Sequence, residues 1–84
     1  MCDINTKYTF LGDYCLVISM YKKGGVYLFG GYLLKENVII DKCITQGITD
    51  NLERAKYIFD VLFKERVLPI HFHYIIDELI SEYE

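Results

Sequence analysis

Two histidines and three cysteines are the residues of this chain best suited to hold a metal ion. Zinc takes four converging ligands, usually from paired close spacings. His71 and His73 are two residues apart, so on a helix they diverge by about 200°. Cys2, Cys15 and Cys43 lie far from both and form no Cys-x-x-Cys pair, so no metal site is expected. His73, Asp77 and Ser81 supply the residue types of a hydrolytic triad at steps of four. His73 and Asp77 can meet on one helix. Ser81 then lies about 12 Å from His73 along the axis, out of the hydrogen-bond reach that a nucleophile needs of its base. None of the cysteines has a histidine or a helix start beside it in sequence to activate it. Cys15 and Cys43 read as buried packing residues and Cys2 as exposed. These residues give no catalytic site, and the chain reads as a protein that is not an enzyme.

Gly24-Gly25 and Gly30-Gly31 match no phosphate-binding loop: there is no Gly-x-Gly-x-x-Gly and no Gly-Lys-Ser/Thr. No cofactor is therefore expected. The first pair reads as a turn. The second lies inside an apolar strand, where glycine marks a bulge or a close backbone approach. It is either a bend in the sheet or a bare stretch on which a partner or ligand rests. Eight tyrosines occur, five of them (Tyr8, Tyr14, Tyr21, Tyr27, Tyr32) in the first half. Tyrosine joins a large contact area to a polar tip and is enriched at interfaces. Tyr27 and Tyr32 flank the glycines and are the expected partner anchors. Their odd separation puts them on opposite faces of an ideal strand, and a bulge at Gly30-Gly31 would bring them to one face. Near the end Asp77, Glu78, Glu82 and Glu84 follow one another without a base. They read as a solvated helix face or as a docking patch for a basic partner.

The elements that must position these residues change character near Gly47. Up to and including it lie all six glycines, with the β-branched and aromatic runs. Strands are predicted over 14–21, 26–34 and 38–45, with 8–11 adding an earlier strand or leading into the first. Lys22-Lys23-Gly24-Gly25 and Glu36-Asn37 supply the turns. The short connections favour an antiparallel meander. After Gly47 come two amphipathic stretches. Asp50 and Glu53 form a capping box, and Leu52, Ala55, Ile58, Phe59 and Leu62 share one helical face, with Lys56 and Asp60 opposite. Pro69 disfavours helix at Leu68 and suits the start of a new one. Phe72, Ile75, Ile76, Leu79, Ile80 and Tyr83 give that second helix its apolar face. The predicted fold is α+β: a meander of three strands, or four, followed by two helices packed on one face of the sheet.

At 84 residues the chain makes one domain, residues 1–84. A chain of this size buries roughly 60% of its unfolded surface. Its core is thin, which favours work at the surface over a deep pocket. Nine basic residues face 12 acidic ones, and apart from Lys22-Lys23 the lysines are scattered. Without a basic stripe, nucleic acid is not an expected partner. No apolar run approaches the roughly 20 residues that span a bilayer, so no membrane partner is expected. Three scattered cysteines and no export signal point to reduced thiols and a cytoplasmic protein.

Several segments resemble a family of short clostridial and related Firmicute proteins of unknown function. The likeness is carried by Tyr32 after Gly30-Gly31, by residues 44–48, by Val67-Leu68-Pro69-Ile70-His71, and by Ile75-Ile76-Asp77-Glu78-Leu79-Ile80. It spans roughly residues 25–81 and is similar to that family most specifically at the Pro-Ile-His segment. It implies the fold and host range and no activity. The abundant Ile, Lys and Tyr also suit a low-GC bacterial or phage genome. The functional expectation is a small protein-binding regulator or inhibitor, acting on a protein partner or as a homodimer. A phage or mobile-element anti-defence protein of the anti-CRISPR kind is one concrete form. The alternative is a small-ligand-binding protein or minor enzyme with its site at the Gly30-Gly31 bend. The expected partner-binding residues are Tyr27, Gly30, Gly31, Tyr32, Asp77, Glu78 and Glu82.

Overall fold

Turn chemistry lays out the sheet. The computed structural model describes residues 2–83, the Tyr83 side chain excepted; Glu84 and the Tyr83 side chain, named above, lie outside the described residues. Strands β1 (Cys2–Leu11), β2 (Tyr14–Lys23), β3 (Val26–Lys35) and β4 (Val38–Ile44) are joined by two-residue turns. They pair antiparallel in the order β1-β2-β3-β4. At Gly24-Gly25 both φ angles are positive, 58° and 82°, the backbone that matches the twist of a tight hairpin. The meander thus has four strands, and the one expected at 8–11 reaches back to Cys2. The β2–β3 register runs without interruption from Tyr14↔Lys35 to Lys23↔Val26. There is no bulge there at Gly30-Gly31, contrary to the proposed bend. The irregularities fall instead at Asp3/Asn5 in β1 and at Leu33/Leu34 opposite β4.

Helix α1 (Leu52–Lys64) is capped by Asn51, whose side chain accepts from the Arg54 N–H at 3.1 Å. The expected Asp50–Glu53 box does not form. With Asn51 as the cap, Glu53 is the second helical residue, one short of the position that reaches back. At the other end Arg66 takes a left-handed φ of 51°. The Arg66 N–H donates to Phe63 O (3.1 Å) and the Val67 N–H to Leu62 O (3.0 Å), a Schellman closure that ties off the last carbonyls. Leu68 is extended (φ −73°, ψ 153°) ahead of Pro69, as the proline ring requires. A 3-10 turn (Pro69–His71) then leads into helix α2 (Phe72–Tyr83).

Both helices cover the same face of the sheet. Cross-strand partners share a face, so the registers sort every strand residue. The rows Thr9–Leu16–Leu33–Asp41, Lys7–Ile18–Gly31–Cys43 and Asn5–Met20–Phe29 face the helices. Leu16, Ile18, Met20 and Phe29 form one core with Ala55, Ile58, Phe59 and Leu62 of α1 and with Phe72, Ile76 and Leu79 of α2. Each such side chain, fully buried, contributes about 1.5–3 kcal/mol of transfer free energy. Leu52, expected on this face, is exposed, and Ile75 and Ile80 are half-buried. Lys7 closes one rim of the core, its ammonium 5.8 and 5.5 Å from the Phe59 and Phe63 ring centres.

Candidate functional site

The two glycines in β3 are each covered by the protein's own rings, on opposite faces of the sheet. A Cβ on Gly31 would lie 2.8 Å from both Cε atoms of Phe72, so only glycine lets that buried ring settle on the strand. A Cβ on Gly30 would lie 3.0 Å from Tyr21 Cε2 and 3.0 Å from the Tyr32 hydroxyl. Above Gly30 the Tyr21 and Tyr32 hydroxyls meet at 2.8 Å. Burial first, then that hydrogen bond, pushes the Tyr32 hydroxyl pKa up to about 12. Gly30 and Gly31 are both buried, so neither offers the bare backbone expected for a partner or ligand. Tyr27 is also corrected as an anchor: it faces the core and is only 7% exposed. Without a bulge in the β2–β3 ladder, Tyr27 and Tyr32 remain on opposite faces, and of the two only Tyr32 reaches the uncovered one.

That uncovered face holds the rows Phe10–Cys15–Leu34–Ile39, Tyr8–Val17–Tyr32–Lys42 and Thr6–Ser19–Gly30–Ile44. Tyr8 (64%) and Phe10 (71%) stand exposed along β1, their rings edge-to-face at 5.8 Å. Ile39 and Ile44 stand exposed along β4, while Ser19, Leu28 and Gly30 between them are buried. The face is therefore a shallow apolar trough with taller walls. Its polar groups satisfy one another. Thr6 Oγ1 donates to the Asp3 carboxylate (2.8 and 3.0 Å) and lies 2.9 Å from Ser19 Oγ. The two tyrosine hydroxyls pair as described. Covering this face leaves those groups hydrogen-bonded, so it avoids the cost of orphaning them. The charges, Asp3, Lys23 and Lys42, lie toward its margins. Phe10, Ile39 and Ile44 were not singled out by sequence reasoning, and Tyr8 was named only as one of five strand tyrosines suited to an interface. Their signal is the alternation Thr6-x-Tyr8-x-Phe10, legible only once β1 is known to begin at Cys2.

The acidic candidates lie elsewhere, on the exposed side of α2. Glu78 and Glu82 line a groove of about 550 Å³ between the end of α1 and α2. Its apolar walls include Val61, Val67, Leu68, Ile75 and Leu79. Asp77 borders an adjoining surface with Tyr74 and Ser81. A hydrogen bond to Glu78 raises the Tyr74 pKa. Ser81 Oγ donates to the Asp77 carbonyl at 3.0 Å, so this serine is turned back onto its own helix. His73, thirty residues from Cys43, places Nε2 3.5 Å from Cys43 Sγ. Burial first, with Asp41 second, pushes that thiol up, away from the thiolate that a nucleophile needs. Cys15 and Cys43 are both half-buried rather than fully buried, Cys2 is exposed, and all three are unbridged. Among the described residues, no three His, Cys, Asp or Glu side chains gather closely enough to hold a metal ion. No helix among them is long and apolar enough to cross a membrane.

The model of a family of unknown function, DUF6514, matches residues 2–82. No curated protein and no solved structure matches the chain. The chain belongs to the DUF6514 family.

Proposed function

We propose that this DUF6514 member is a non-catalytic protein-binding module that regulates its partner through the open face of the sheet. The observation that carries the reading is the pair of exposed walls on that face, Tyr8 and Phe10 on one side, Ile39 and Ile44 on the other. Four strands about 4.8 Å apart and up to ten residues long, at about 3.4 Å per residue, present on the order of 600 Å². That approaches the roughly 800 Å² per partner of an ordinary interface. An apolar centre with charge at the margins is the composition of such an interface.

The edges of the sheet are less suited to the role. β1 and β4 each carry a register irregularity and a lysine, Lys7 and Lys42. These features oppose pairing with a further strand. The raised Cys43 thiol supports a non-catalytic reading of the Cys43–His73 pair.

Photo-crosslinking in the source cell tests the proposal. A photoreactive phenylalanine at Phe10 is expected to trap a defined protein, which is another copy of this chain if the module is a homodimer. The same probe at Asp60, on the outer side of α1, is expected to trap none. Equal trapping from both positions, or none from Phe10, would overturn the assignment of this face.

A further inference from the structure

We propose that the groove between α1 and α2 is a second docking site, one that takes a basic amphipathic helix from another protein. This site is independent of the open sheet face. Val61, Leu68 and Ile75 are half-buried in its walls. Their partial exposure leaves apolar surface for a ligand to cover. A volume of about 550 Å³ falls within the roughly 300–1,000 Å³ typical of ligand sites. It suits a few apolar side chains spaced i, i+4, i+7 along one helix face.

Charge selects the occupant. Glu65 lies on the α1 side of the groove, and Glu78 and Glu82 lie on the α2 side. Against these three carboxylates stand Arg66 and, when protonated, His71. Asp77 adds a further negative charge on the adjoining surface. Glu78 and Glu82 are four residues apart, about 6 Å along the helix axis. That is the repeat of two lysines or arginines one turn apart on a bound helix. An anionic membrane surface would be repelled by the same carboxylates, so a basic protein segment is the occupant that the groove fits.

The probe is a fluorescein-labelled peptide of about 18 residues, five helical turns, made of leucine and lysine in an amphipathic pattern. Its binding is read by anisotropy at low ionic strength. The double variant Glu78→Lys/Glu82→Lys changes only exposed residues and is expected to raise Kd at least tenfold. A control double variant in two hairpin turns that do not line the groove, Asp13→Lys/Glu36→Lys, makes the same change in net charge and is expected to shift Kd less than twofold. Ile75→Ser, or Val61→Ser if that variant fails to fold, is expected to weaken binding at least fivefold. NMR methyl shifts should change at Val61, Leu68 and Ile75. Equal losses from the two charge reversals would reduce the effect to bulk attraction and overturn the proposal. So would methyl shifts confined to the open sheet face, or no binding at millimolar peptide.

Discussion

The two faces of the sheet are built from alternate residues of the same four strands, yet they carry different work. On one, Leu16, Ile18 and Phe29 are sealed beneath the rings of Phe59 and Phe72. On the other, Tyr8, Phe10, Ile39 and Ile44 meet solvent. The glycine pair in β3 shows the contrast at single-residue scale. Gly31 receives a ring from α2, an element far along the chain. Gly30 receives only the tyrosines of its own and the neighbouring strand. Two helices provide apolar surface for one face of a four-stranded sheet and no more. The exposed apolar residues on the other face, Tyr8, Phe10, Ile39 and Ile44, add little to folding, and their transfer free energy is available to a partner.

Breaking the covered face should produce the largest effects. Phe72→Ala empties the space over Gly31 and should cost about 3–5 kcal/mol in urea unfolding. Gly31→Ala forces a methyl group into that ring and should cost about 1–3 kcal/mol. Combined with Phe72→Leu, its cost should fall below the sum of the single effects, because the two sites share one contact. Gly30→Ala meets only the movable ends of two tyrosine rings and should cost less than about 1 kcal/mol. A cost equal to that of Gly31→Ala would erase the distinction between the faces.

Titration sharpens the same contrast. The folded Tyr32 pKa of about 12 lies above the ordinary tyrosine value near 10. Between these values the folded chain holds a proton that the unfolded chain has lost, so stability falls as pH rises. Its contribution is complete below about pH 10 and is lost as pH rises through about 12. Tyr32→Phe should flatten that decline. The ultraviolet absorbance of tyrosinate should also lose one late-titrating group. An unchanged alkaline profile would mean that the tyrosine pair does not seal the trough.

Most of the fold was legible in local sequence. Gly24-Gly25 and Glu36-Asn37 announced hairpins, and Pro69 announced the break between helices. The first half of β1 was not legible, because Asp3, Asn5 and Lys7 have little strand propensity and are held by pairing with β2. The helix cap moved by one residue because Asp50 and Asn51 are both good caps, and backbone geometry chose between them. The site was much less legible. Tyr27 and Tyr32 could be assigned to faces only from the β2–β3 register. The contacts Gly31–Phe72 and Cys43–His73 join strands to α2 across long stretches of chain, where spacing carries no signal. Glu78 and Glu82 were visible as charge, but the apolar groove beneath them required the α1–α2 packing.

The central claim is that the open face serves binding and not folding. Its most direct test pairs two readings on one protein, Tyr8→Ser/Phe10→Ser/Ile44→Ser. The account predicts a urea unfolding free energy within roughly 1.5 kcal/mol of the parent, about 0.5 kcal/mol for each of three exposed substitutions. It also predicts at least a tenfold loss of affinity for the protein trapped from position 10. Unchanged affinity in a folded variant, or a stability loss as large as that of Phe72→Ala, would contradict it.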